Sequence, residues 1–144
     1  MLAAASTALE SVAQRLGEEF CQAVSLLADC QGCVIVSGIG KAGHIGQKLV
    51  ATLNSTGTRA QFLHPVEAIH GDLGCVESGD VAIVLSNSGE SDEIACVLPL
   101  LDQRTVPVIA ITANAASFRV WDAWGPPSGT VTPGQYRVVL RTVE

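Results

Sequence analysis

Five polar residues and a glycine, Ser86-Asn87-Ser88-Gly89-Glu90-Ser91, follow the apolar run 81–85 and precede a helical stretch at 92–98. Strand, hydroxyl loop and helix start together suit an anion. The first N–H groups of a helix have no partner inside it, and the helix dipole adds partial positive charge there. Ser86, Ser88 and Ser91 each carry a further donor, and Gly89 lets the backbone approach. The same letters also suit an ordinary capped turn, with Ser88 or Ser91 as N-cap.

A second loop strengthens the anion reading. Gly38-Ile39-Gly40-Lys41-Ala42-Gly43 follows an apolar strand and opens a helix. Its glycines spell a dinucleotide fingerprint, but that motif wants an acid at the end of the second strand. Here that strand ends in Leu63-His64-Pro65, and Glu67 comes three residues too late. The Walker spacing is also absent. The alternative is that Lys41 serves as a cation. In open parallel sheets, ligands sit outside the carboxyl ends of strands, near the point where strand order reverses. Loops after the first and third strands then converge on one anion. A third polar cluster, residues 64–72 with His64, Glu67, His70 and Asp72, leaves the second strand at the same edge. It reads either as a loop of helix-capping residues or as a pocket wall with His70 reaching the ligand. Two His six apart make no metal-binding helix face.

The elements that must carry these loops follow from apolar periodicity. Residues 3–29 read as one amphipathic helix, ended by Gly32. Short unalternating runs at 33–37, 60–63, 81–85 and 106–111 read as strands of a parallel sheet covered on both faces. Helices at 45–53 and 92–101 connect them, with one short helix inside 64–74. The order predicts an α/β, doubly wound parallel sheet flanked by helices.

The 144 residues suffice for one domain. A net charge of −6 argues against a nucleic-acid surface. No apolar run reaches the roughly 18–20 residues that cross a bilayer, so no membrane partner is expected. The N-terminus lacks signal-peptide regions, which predicts a cytoplasmic location. Five cysteines without a second C-x-x-C pair predict neither a disulfide framework nor a zinc site, and nothing calls for a cofactor. Residues 118–144 break the pattern. They carry both tryptophans and read as a divergent tail, not a separate domain, with a short strand at 136–140.

The combined motifs resemble the sugar isomerase (SIS) domain family, in its arabinose 5-phosphate isomerase branch. The resemblance rests on the glycine-Lys turn at 38–46, Ser55-Thr56-Gly57-Thr58, the His-Pro-x-Glu-Ala-x-His-Gly-Asp-Leu-Gly segment at 64–74, and Ser86-Asn87-Ser88-Gly89-Glu90-Ser91-x-Glu93. It covers roughly residues 5–117. It implies a flavodoxin-like three-layer sandwich and an aldose–ketose isomerase interconverting ribulose 5-phosphate and arabinose 5-phosphate. Lys41, Glu93 and His70 match catalytic positions. Gly40, Ser55, Thr56, Ser86, Asn87, Ser88 and Ser91 match substrate-binding ones. It also implies a phosphorylated sugar as ligand and a homo-oligomer, dimer or tetramer. The family's second catalytic Glu, its later His and the paired CBS domains have no counterpart here. That loss reads as a truncated or frame-shifted sequence, and it keeps a non-catalytic phosphosugar-binding module as the alternative.

Overall fold

The structure is a computed structural model describing residues 2–14, 16–112 and 137–141; the tryptophan-bearing part of the tail lies outside them. Five strands form one parallel sheet in the order β2-β1-β3-β4-β5, with β1 Val34–Gly38, β2 Ala60–Phe62, β3 Val81–Leu85, β4 Val108–Thr112 and β5 Arg137–Arg141. Strands β1 and β3 are buried along their whole length, as unalternating Val/Ile runs require in a sheet covered on both sides. The short tail strand expected at 136–140 is present as β5, parallel to β4.

Two helical layers cover the sheet. Helices α2 (Glu18–Ala28) and α3 (Gly40–Ser55) pack with Val34, Val36, Ile83 and Leu85 on one face. Helices α4 (Pro65–Ile69) and α5 (Asp92–Gln103) pack with Ile35, Ala82, Val84 and Ala110 on the other. A 3₁₀ turn, Asp72–Cys75, follows α4 and contributes Leu73 to that second layer.

The helix expected over 3–29 is two helices, α1 (Leu2–Ala13) and α2. The break centres on Gly17, which takes extended backbone (φ −116°, ψ −155°) at the N-cap of α2. Glycine is a weak helix former, so it leaves a helix at little cost. Leu2 and Leu9 of α1 are exposed. Helix α3 begins at Gly40, five residues before the start read from periodicity. The glycine turn is its first turn.

The amino edge of the sheet is pinned by Asp80, which is buried. Its carboxylate accepts the backbone N–H of Cys33 at 2.7 Å and that of Glu77 at 2.8 Å. The start of β1 is thereby tied to the start of β3. Cys33 and Cys30 of the C-x-x-C pair lie beside this staple; the Cys30 thiol reaches the Gly79 carbonyl at 3.6 Å. Burial pushes the Cys33 thiol up from its ordinary range, which makes it a poor nucleophile.

Candidate functional site

Strand order reverses between β1 and β3, the place where doubly wound sheets open a crevice at their carboxyl edge. The last residues of these strands, Gly38 and Leu85, are register partners. The glycine-Lys turn and the serine loop therefore leave from neighbouring points. They diverge, because α3 packs on one face and α5 on the other.

On the β1 side the glycines have individual structural reasons. Gly40 has φ +57°, a backbone region costly for other residues, and it lets α3 start directly after Ile39. A Cβ on Gly43 would stand 2.9 Å from the Gly38 carbonyl oxygen, so only glycine lets α3 approach β1 this closely. Those needs account for the fingerprint letters without a dinucleotide. Lys41 projects from the first turn of α3 and is exposed. Gly43→Ala is expected to lower stability by about 1–3 kcal/mol, the usual range for overpacking. Thermal unfolding of the variant checks this; an unchanged midpoint would show that α3 moves freely.

On the β3 side the loop is internally bonded. The buried Ser86 hydroxyl accepts the Gly89 N–H at 3.2 Å and lies 3.2 Å from the Ser91 hydroxyl. The Ser88 hydroxyl accepts the Glu90 N–H at 3.2 Å. Strand β4 holds the loop from beside: Ser86 N–H bonds the Ile111 carbonyl at 3.1 Å, and the Thr112 hydroxyl donates to the Asn87 carbonyl at 3.3 Å. Ser91 is the N-cap residue of α5, but its side chain makes no capping bond. Of the two N-cap candidates, the cap position is Ser91, and its hydroxyl turns back to Ser86. Glu93 stands in the first turn of α5 and is exposed.

The segment after β2 leaves at the same edge and packs α4 against α5. His70 closes α4, its N–H bonding the Val66 and Glu67 carbonyls at 3.3 and 3.1 Å, and its side chain is exposed. A cavity of about 320 Å³ lies beside β2, lined by Gln61, Phe62, Leu63, Gly71, Asp72, Gly74 and Cys75. None of Lys41, Glu93 or the serine loop lines it, so it is a feature of the β2 edge and separate from the crevice.

Ser55 and Thr56 do not join the site within this chain. Helix α3 carries the backbone about 24 Å away from Gly40, at 1.5 Å per residue. Its far end is at the amino edge, where the Asn54 side chain bonds both backbone groups of Ala60 at 2.8 and 2.9 Å. The Ser55 hydroxyl donates to the Thr52 carbonyl at 2.8 Å, and Thr56 donates to Thr52 and Leu53 at 3.1 and 3.0 Å. These hydroxyls serve the helix end. Two buried hydroxyls that the sequence reading passed over, Ser37 and Thr112, do stand at the carboxyl edge. Their positions at alternate places near strand ends were the available signal.

Comparison with known proteins settles the family. The SIS domain family profile matches residues 26–120, which contain every element of the site. The chain belongs to the SIS domain family. It is 48% identical over 104 residues to the arabinose 5-phosphate isomerase GutQ of Escherichia coli K12, covering 72% of this chain and 32% of that protein. It is 46% identical over 110 residues to the arabinose 5-phosphate isomerase KdsD of Pseudomonas aeruginosa, covering 76% of this chain and 34% of that protein. The chain therefore spans about a third of the length of these relatives. Among solved structures, an Escherichia coli CFT073 protein in complex with A5P superposes with a TM-score of 0.73 at 35% identity, covering 94% of this SIS chain and 68% of the other. The NanR protein of Vibrio vulnificus, with a TM-score of 0.74 at 17% identity over 97% of this chain and 48% of its own, shares the fold.

In a SIS chain with this loop, Ser88→Ala is expected to leave folding intact, because Ser88 is exposed and supports only the Glu90 N–H. If the loop holds a phosphate, affinity for a phosphorylated sugar should fall about 10- to 100-fold, the contribution of one hydrogen bond to a charged acceptor. Calorimetric titration checks it, and an unchanged affinity would remove Ser88 from the binding set.

Proposed function

We propose that this SIS domain binds a pentose 5-phosphate and interconverts ribulose 5-phosphate and arabinose 5-phosphate. The observation that carries the reading is the pairing of Gly38 with Leu85, which launches a lysine turn and a hydroxyl loop from adjacent strand ends. The phosphate sits on the 86–91 loop, against the Gly89 and Ser91 backbone and the Ser86, Ser88 and Ser91 hydroxyls. It does so without help from bulk charge, since the chain is acidic.

The reaction needs a base for the carbon proton and a positive partner for the developing oxyanion. Glu93 takes the C1 proton of the ketose, leaving its electron pair in a cis-enediolate, and returns a proton to C2. The Lys41 ammonium stands beside the enediolate oxygens, and His70 moves the proton between O1 and O2. The identity to two arabinose 5-phosphate isomerases supports this choice of sugar.

A phosphosugar-binding module without turnover is the second reading. It is favoured by the exposure of Glu93, since a carbon-proton base works best sheltered from water. Incubating the chain with ribulose 5-phosphate and following arabinose 5-phosphate formation separates the two. Product formation supports the isomerase. Saturable binding with no product supports the module, and no binding at all overturns both.

A further inference from the structure

Ser37 is 2% exposed, and among the described residues its hydroxyl has no hydrogen-bond partner. A buried unpaired hydroxyl is costly, so a strand that keeps one calls for a partner absent from the isolated chain. Strand alternation supplies its surroundings. Ser37 shares the face of Ile35, Ser86 that of Val84, and Thr112 that of Ala110, all in the layer beneath α4 and α5. Leu85 pairs with Ile111, so Ser86 and Thr112 lie side by side, while Ser37, paired with Val84, sits one step deeper on β1. Three buried hydroxyls thus line one face at the carboxyl ends of β1, β3 and β4, being 2%, 4% and 1% exposed. Ser86 and Thr112 are committed to the serine loop, through Gly89 and Asn87. Ser37 is not. It lies at the switch-point side of the row, on β1, on the face that α4 and α5 cover.

We infer that Ser37 is a specificity-determining residue of this site, a polar floor that receives the sugar part of the ligand, directly or through one water, while the serine loop takes the phosphate. The inference rests on the sugar-phosphate reading above. An alkyl side chain in this position would leave the phosphate grip intact and remove the only unengaged hydroxyl of the row. A hydroxyl-bearing ligand gives Ser37 the partner it lacks, and inorganic phosphate does not.

The test is calorimetric titration of the full chain and of Ser37→Ala and Ser37→Cys with arabinose 5-phosphate and with inorganic phosphate, alongside thermal unfolding. Ser37→Ala should keep its melting temperature, since no bond is lost. Its affinity for arabinose 5-phosphate should fall about five- to tenfold with phosphate affinity unchanged. Ser37→Cys, with a weak S–H donor, should fall between. Equal affinity of parent and Ser37→Ala for the sugar phosphate overturns the inference and leaves the binding reading standing. Parallel loss for both ligands also overturns it, by making Ser37 a part of the phosphate grip. A parent that binds phosphate but discriminates against the sugar ester overturns the binding reading, and the inference with it. If Ser37→Ala fails to fold, Ser37→Cys decides on the same criteria.

Discussion

Lys41→Ala is expected to reduce conversion of ribulose 5-phosphate by a factor of about 100–1000, the usual loss when one preorganised charge-stabilising group is removed. Lys41 stands in the first turn of α3, exposed, on a helix seated against β1 by Gly43. Nothing in the core depends on its side chain, so the variant should fold as the parent does. The loss should appear in kcat more than in KM, because the ammonium meets a full oxyanion only in the enediolate. Lys41→Arg keeps the charge and moves it, and should recover only part of the rate. Steady-state kinetics of the three proteins check this. Unchanged turnover in Lys41→Ala would remove Lys41 from the chemistry. A raised KM with unchanged kcat would make it a ground-state binding group.

Asp80→Ala carries the largest expected cost in stability, about 3–6 kcal/mol. The carboxylate accepts two backbone N–H groups in a buried place, and hydrogen bonds to a charged acceptor contribute about 1.5–3 kcal/mol each. Alanine would leave the Cys33 and Glu77 donors without partners at the seam between β1 and β3. Asp80→Asn keeps one acceptor oxygen and turns an amide donor towards the other N–H, so it should lose about half as much. Urea unfolding followed by circular dichroism gives both values. The free energies should order parent, Asn, Ala, with an unchanged m-value. Similar stability of Asp80→Ala and parent would mean that the amino edge is held by the strand ladder alone. Because the site lies at the opposite edge, ligand affinity of folded Asp80→Asn should match the parent.

The parts of this structure legible in the sequence are those where local pattern and tertiary place agree. Residues 81–85 read as a strand because five apolar residues in a row end at a polar loop, and β3 has those bounds. The serine loop was legible for the same reason. Where a residue serves two roles, the letters misled. Gly17 lies within a continuing helical periodicity, yet it takes extended backbone and divides α1 from α2. Gly40 and Gly43 read as a turn, yet they belong to the helix: Gly40 is glycine for its positive φ, and Gly43 to fit the helix onto β1. Ser55 and Thr56 share a motif neighbourhood with the site but not its position, because fifteen helical residues intervene between Gly40 and Thr56. Ser37 and Thr112 gave only a weak signal, a hydroxyl near the end of an apolar strand, and their shared face emerges only once the strand register is known.

The most direct test of the account is amide NMR of the chain during titration with arabinose 5-phosphate. The prediction is that Gly89, Ser91 and Lys41 amides move together and saturate at one dissociation constant, since one ligand bridges both loops at the β1–β3 crevice. Shifts confined to the cavity residues Gln61–Leu63 and Gly71–Cys75, with the serine loop silent, would contradict it.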